Sequence, residues 1–202
     1  MTLSRHHKQL NISNILPMDL NFLLFIESVY TCFHEEKDVF PGKHFNLNES
    51  ELLQSDSFAE ILNMCWDESI VDLKQQQKTG NPHSSIHFKQ CYSKLFRDNT
   101  GSDTSEMVWD AFSLWWWSEY GIKAYMENYT DLFIPKISDQ IWEELYKKNI
   151  GVSEGNSLYL ILLFKQPEKV FPKNTSRLFF TSINKFVTRK ELIVKEIVQL
   201  FD

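Results

Sequence analysis

Large aromatic side chains supply an unusual share of the apolar residues in this chain. Its 202 residues include 16 Phe, 7 Tyr and 6 Trp, but only three Ala, at Ala59, Ala111 and Ala124. Because each buried ring removes a large apolar area from water, worth roughly 25 cal/mol per Å², this composition predicts a sturdy core. With so few small side chains, helices cannot approach each other closely, so we expect irregular helix packing.

Helical periodicity and capping residues predict a mostly helical chain. The clearest amphipathic segment is 56–78, where Phe58, Leu62 and Cys65 share one face. The acidic positions on the opposite face include Asp56, Glu60 and Asp67. Further helices are expected over residues 17–33, 84–97, 103–121, 138–149 and 188–200.

The pattern changes near the end of the chain. Residues 157–164 form a short apolar run bounded by Gly155 and Pro167, which favours a buried strand. Residues 177–183 are a candidate partner strand. The predicted fold class is therefore mainly α with α+β character: a multi-helix globular domain with a small antiparallel sheet near the C-terminus. We expect one domain over residues 1–202. Within it, a flexible N-terminal arm is expected over residues 1–15.

Cysteine usage and hydropathy favour a cytoplasmic address. Cys32, Cys65 and Cys91 are odd in number and widely spaced, without a CxxC motif, so we expect no disulfide framework and a reducing compartment. The apolar run 22–26 is too short for a signal peptide, and no stretch reaches the length of a membrane span. A membrane partner is therefore not expected.

The charges are unevenly placed along the chain. Residues 9–164 hold 11 Lys/Arg and 23 Asp/Glu, whereas residues 165–202 hold 8 and 4, within a total net charge of −6. A body this acidic repels phosphate backbones, which disfavours nucleic acid as a partner.

The residue spacings give only weak signals for a metal or catalytic site. His83, His87 and Cys91 would stack on one helix face, but a span of eight residues is about 12 Å, too long for all three to reach one metal ion. Neither a GxSxG elbow nor a glycine-rich phosphate loop occurs in the sequence. We therefore expect no catalytic residues, no metal and no cofactor, with His83 and His87 as the weak metal candidates.

Three consecutive tryptophans, Trp115, Trp116 and Trp117, form an unusual cluster. On a helix these positions span about 200°, so one face cannot bury all three. A central helix buried on both sides is one interpretation. The other is an aromatic anchor at an interface, where Trp is enriched.

These patterns favour a non-enzymatic acidic binding protein. The specific hypothesis is an immunity (antitoxin-like) protein that neutralises a cognate basic toxin domain, with a nuclease as the expected toxin. A hydrolytic enzyme whose site is assembled from distant His, Asp and Glu residues stays open as an alternative, as does a homodimeric regulatory subunit. A monomer and a homodimer are both compatible with the sequence. The predicted partner-binding residues are Asp56, Glu60, Asp67, Trp115, Trp116 and Trp117.

Overall fold

A computed structural model describes residues 10–34, 55–79, 91–96, 101–151, 157–167, 173–175 and 177–202 of the chain. The chain divides into two compact units. One is continuous, Met18–Gly121, and we call it the helical unit. The other combines Met1–Pro17 with Ile122–Asp202, and we call it the sheet unit. In sequence, the helical unit is thus an insertion between two parts of the sheet unit.

In its described residues, the helical unit contains three long helices. They are α1 (Met18–His34), α2 (Ser55–Thr79) and α3 (Gly101–Trp117), and a short 3₁₀ helix, Ser93–Leu95, precedes α3. Every residue from Leu20 to Val29 in α1 is buried, as expected of a helix that is apolar around most of its circumference. The polar Ser28 in this stretch satisfies its hydroxyl by donating to the Leu24 carbonyl oxygen at 2.7 Å.

Aromatic rings form the centre of the helical unit. The ring of Phe22 in α1 meets those of Tyr92, Trp109 and Phe112 edge-on, at centroid distances of 4.8, 4.9 and 5.2 Å. Tyr92 and Trp109 stack on each other, with centroids 5.4 Å apart and ring planes 9° from parallel. Such pairs contribute about 0.5–1.5 kcal/mol each beyond the apolar area that they bury. Part of the aromatic composition therefore appears in the helical unit as a connected cluster of rings.

A disulfide bond joins Cys65 in α2 to Cys91, and both residues are buried. The expectation that the chain has no disulfide is therefore wrong. The chain has three cysteines, and the third, Cys32, is not part of this bond. The two bonded cysteines are 26 residues apart, and no sequence spacing signals that packing brings them together.

The sheet unit is built around three parallel strands. They are β1 (Asn11–Ile15), β2 (Ser157–Leu163) and β3 (Leu178–Ser182), in the order β1-β2-β3. The register places Leu160 of β2 opposite Asn14 of β1 and Phe179 of β3.

The prediction of an antiparallel sheet near the C-terminus is thus wrong on both counts. The sheet is parallel throughout, and one of its strands comes from residues 11–15. Because β2 and β3 pair in parallel, the two strands do not form a hairpin. A near-continuous apolar strand such as β2 is typical of parallel sheets buried on both faces, but the run at 157–164 was interpreted only as a buried strand, without its direction.

Three helices complete the sheet unit. They are α4 (Ile122–Lys147), α5 (Ile183–Thr188) and α6 (Lys190–Val198). The helix predicted over residues 138–149 is the second half of α4, which continues through Pro135. A hydrogen bond from Asn14 Nδ2 to Thr130 Oγ1, at 3.0 Å, connects β1 to α4. Lys190 Nζ lies 3.1 Å above the Phe133 ring and connects α6 to the same helix.

The last helix begins later than the start predicted at residue 188. The Thr188 hydroxyl donates to the Asn184 carbonyl oxygen at 2.7 Å, and α6 starts after Arg189. Ser182 caps α5, accepting from the Lys185 backbone N–H at 3.3 Å. Within the described residues, no helix combines the length and the apolar character needed to cross a bilayer.

Candidate functional site

The predicted acidic contact residues lie on α2. Glu60 and Asp67 are both exposed and are seven residues apart, which places them on one side of the helix. Asp56 belongs to the first turn of α2, but its side chain lies outside the described residues. The weak metal candidates His83 and His87 also lie outside them. Among the residues that the structure does describe, no group of three or more His, Cys, Asp or Glu side chains is arranged to hold a metal ion.

The three consecutive tryptophans have three different environments. Trp116 is 1 % exposed and stacks on Phe112, with ring centroids 5.5 Å apart. Trp115 is partly buried, and its ring lies 5.6 Å from that of Phe25. Trp117 is 59 % exposed. Trp116 therefore has no surface to offer a partner, whereas Trp117 does.

Trp117 belongs to a row of exposed side chains along α3. We call Met107, Asp110, Leu114 and Trp117 the outer face of α3. Their spacing of three, four and three residues places them on one side of the helix, and Val108 and Phe112 on the other side are fully buried. Leu114 is 76 % exposed and Met107 48 %. Single exposed apolar side chains are ordinary, but three of them on the same helix face as a carboxylate mark a candidate interaction surface.

An open recess lies within the outer face of α3. It has a volume of about 550 Å³ and is lined by Asp110, Ser113, Leu114, Trp117 and Ser118. The lining residues that the structure describes come from one side of α3 and from its C-terminal end. The Ser118 hydroxyl donates to the Trp115 carbonyl oxygen at 3.4 Å. The recess combines a carboxylate, a Ser113 hydroxyl and two large apolar side chains.

Carboxylates dominate the electrostatics around this face. Glu106 and Asp110 are one turn apart on α3 and both are exposed. Burial, with these two carboxylates as the next causes, raises the pKa of Tyr92 to about 12. Elsewhere in the helical unit, burial and then the charge of Asp72 raise the pKa of Asp19 from 3.8 to about 6. In both cases burial disfavours the charged form most, and the neighbouring negative charges add to this effect.

Charge is divided between the two units. The helical unit, Met18–Gly121, carries 17 Asp/Glu against 7 Lys/Arg, a net charge of −10, and the sheet unit carries 10 against 14, a net charge of +4. Ion pairs in the sheet unit join Lys185 to Glu196 at 2.7 Å and Lys148 to Asp202 at 2.6 Å. These lysines of the C-terminal half therefore neutralise carboxylates of their own unit.

Sequence reasoning identified Trp117 and missed the residues that surround it. Met107, Asp110 and Leu114 were not selected, although their helical spacing from Trp117 was visible in the sequence. The missing information was which face of α3 is buried. Once Phe112 and Trp116 are known to point into the core, the opposite row follows from the helical period of 3.6 residues.

Comparisons with protein-family models, with curated proteins and with solved structures found no match for this chain.

Proposed function

We propose that this chain is a non-enzymatic binding protein whose helical unit recognises a basic protein surface through the outer face of α3. In its specific form, the proposal is an immunity (antitoxin-like) protein that neutralises a basic toxin domain such as a nuclease. One observation carries the proposal: exposed Trp117 and Leu114 lie beside Asp110 on a unit with a net charge of −10.

Each part of this surface has a role in binding. Exposed aromatic side chains supply much of the binding energy at protein interfaces, where Trp is enriched among the residues that contribute most. Carboxylates steer a basic partner towards the surface and speed association. A nuclease site is cationic because it binds phosphates, so carboxylates can occupy the positions that phosphates would take.

The cytoplasmic address that accompanies this proposal carries a condition. Disulfides are rare in the reducing cytosol, yet Cys65 and Cys91 are bonded in the structure. A cytoplasmic immunity protein would therefore have to fold and bind with this bond reduced, and binding should be measured with and without reductant.

Charge reversal at the outer face of α3 tests the binding surface. We expect Asp110→Lys to weaken binding of fluorescent polylysine about tenfold, which is about 1.4 kcal/mol, because it places a cation in the recess. Asp139→Lys is the matched control, since Asp139 is an exposed aspartate on α4 of the sheet unit. Fluorescence anisotropy measures both affinities, and circular dichroism checks that both variants fold. Equal weakening by the two variants would show that polylysine responds only to net charge and would overturn the proposal.

Co-expression tests the specific form of the proposal. If the chain neutralises a toxin, the protein encoded beside its gene should be basic and toxic when produced alone, and the wild-type chain should restore growth. We expect Asp110→Lys to lose this rescue and Asp139→Lys to keep it. A harmless or acidic neighbouring product would contradict the immunity function and leave the binding surface to be judged by the polylysine experiment.

A further inference from the structure

A second row of exposed side chains lies on α4, in the sheet unit. We call Tyr125, Tyr129, Leu132 and Lys136 the outer face of α4. Their spacing of four, three and four residues places them on one side of the helix, whereas Ile137 on another side is buried. Leu132 is 55 % exposed, Tyr125 is 45 % exposed and Tyr129 is half-buried. Lys136 is exposed and forms no ion pair with another described residue.

The outer face of α4 carries the charge opposite to that of the outer face of α3. Each row combines three apolar side chains with one charged group, which is the Asp110 carboxylate on α3 and the Lys136 ammonium on α4. The units that carry these rows have net charges of −10 and +4. Opposite charges on two apolar surfaces favour their association, because they attract each other and fix the register of the contact.

The two rows have the same spacing when their helices run in opposite directions. Going up α3 from its charged residue, the next two members of the row lie four and then three residues further on. Going down α4 from its charged residue, the intervals are again four and three. Both rows therefore place side chains about 6 Å and then about 4.5 Å apart along the helix axis. The pairs that come together are Asp110 with Lys136, Leu114 with Leu132, and Trp117 with Tyr129.

A parallel arrangement of the two helices does not give this match. With Asp110 beside Lys136, it would place Trp117 beside Glu143, so that an aromatic ring faces a carboxylate. The antiparallel arrangement instead places apolar side chains against apolar side chains. A crossing angle of about 20° is common between packed helices, and Met107 then lies at the edge of the contact.

We propose that the chain associates with a second copy of itself, with the outer face of α3 of one copy packed antiparallel on the outer face of α4 of the other. The pair of Asp110 with Lys136 sets the register, and the apolar pairs supply buried area. Because two helix faces make a small contact, the association should be weak, with a Kd on the order of 100 μM. This inference does not rest on the proposed function, since it needs only the two exposed rows.

Sedimentation velocity of the full chain, over concentrations around this Kd, tests the association. We expect the weight-average sedimentation coefficient to rise with concentration. Lys136→Glu should weaken the association at least about tenfold, because it places a second carboxylate against Asp110. Lys195→Glu is the matched control with the same change in net charge, since Lys195 is an exposed lysine on α6 of the same unit. A sedimentation coefficient that does not change with concentration, or equal weakening by the two variants, would overturn the inference.

Exchange of the two charges tests the pairing itself. Asp110→Lys alone should weaken the association as Lys136→Glu does. Combining the two substitutions in one chain should restore it, and so should mixing the two single variants, because each new or remaining contact again joins opposite charges. Asp110→Lys combined with Lys195→Glu has the same net charge and should not be restored. Circular dichroism checks that every variant folds.

The charge exchange also separates this inference from the proposed function. Failure of both restorations would overturn the association through Asp110 and Lys136. If polylysine binding still depends on Asp110 in that case, the proposed function stands. If the restorations succeed while polylysine binding does not depend on Asp110, the association stands and the proposed function fails.

Discussion

At the scale of single residues, the helical unit holds a carboxyl group where water solvates it poorly. Burial is the larger cause of the raised pKa of Asp19, and the charge of Asp72 is the smaller one. Both disfavour the ionised form of Asp19 in the folded chain. The unfolded chain exposes the same group to water, where its pKa is ordinary. Near neutral pH, where Asp19 is ionised, this group therefore lowers the free energy of unfolding.

The sign of this effect predicts a pH dependence of stability. Between about pH 4 and pH 6 the folded chain binds a proton on Asp19 that the unfolded chain has released, so stability falls as the pH rises through this window. We expect Asp19→Asn to stabilise the chain by about 2 kcal/mol at pH 7, somewhat less than the full pKa shift of Asp19 would give, and by almost nothing at pH 4.

Urea unfolding at pH 4, 5, 6 and 7 measures this difference. Asp67→Asn is the control, because Asp67 is exposed on α2 and its neutralisation should change stability by less than about 0.5 kcal/mol. A constant difference between wild type and Asp19→Asn across this pH range would contradict the interpretation.

At the scale of secondary-structure elements, the C-terminal end of α4 shows which residue closes a helix. The sequence predicts that the helix now called α4 ends near residue 149. The structure places Asn149 in the left-handed conformation, with φ of 57°. The N–H of Ile150 then donates to the Leu145 carbonyl oxygen at 2.9 Å, and the N–H of Asn149 donates to that of Tyr146 at 3.0 Å. This is the hydrogen-bond pattern of a helix end closed by a left-handed residue.

Substitution at Asn149 tests this helix end. We expect Asn149→Ala to destabilise the chain by about 1 kcal/mol, because alanine lacks the ease with which asparagine adopts a positive φ. Asn149→Gly should be at least as stable as wild type. The same Asn-to-Ala change at Asn128, an exposed position inside α4, should be neutral or slightly stabilising because alanine favours helix. Thermal unfolding compares the three variants, and equal effects at both positions would contradict the assignment.

At the scale of the whole molecule, two features organise the chain. Negative charge is concentrated in the continuous helical unit, whereas the sheet unit is assembled from both ends of the chain and is mildly basic. The Cys65–Cys91 disulfide closes a long loop inside the helical unit and joins α2 to the segment that carries Tyr92. Since Tyr92 packs on Phe22 and Trp109, the bond secures the aromatic cluster at that point.

Thiol counting and unfolding test the disulfide. Without reductant, the denatured chain should show one reactive thiol, from Cys32, and after reduction it should show three. Closing a loop between residues 26 apart stabilises a fold by about 3.5 kcal/mol through the lower entropy of the unfolded chain. We therefore expect reductant to lower the urea midpoint of wild type and to leave Cys65→Ala/Cys91→Ala unchanged. Three reactive thiols before reduction would contradict the bond.

Local residue patterns were sufficient for several features of this chain. The 3.6-residue period located α1, α2 and α3, since each carries an apolar face that must be buried. The apolar run at 157–164 located β2, and the helical period showed that one face of α3 cannot bury Trp115, Trp116 and Trp117 together. These features depend on residues close together in the chain, so sequence alone could predict them.

Other features depend on residues that are far apart in the chain. Strand direction depends on how β2 pairs with β3, and β1 forms by pairing with β2 about 146 positions later. The mixed sequence of residues 11–15 does not by itself predict a strand. Packing likewise brought Cys65 to Cys91 and left the row from Met107 to Trp117 exposed. Short-range patterns determine which helices and strands form, because helix and strand periods are local. Only the long-range burial of apolar surface decides which faces of these elements pack together and which remain exposed to a partner.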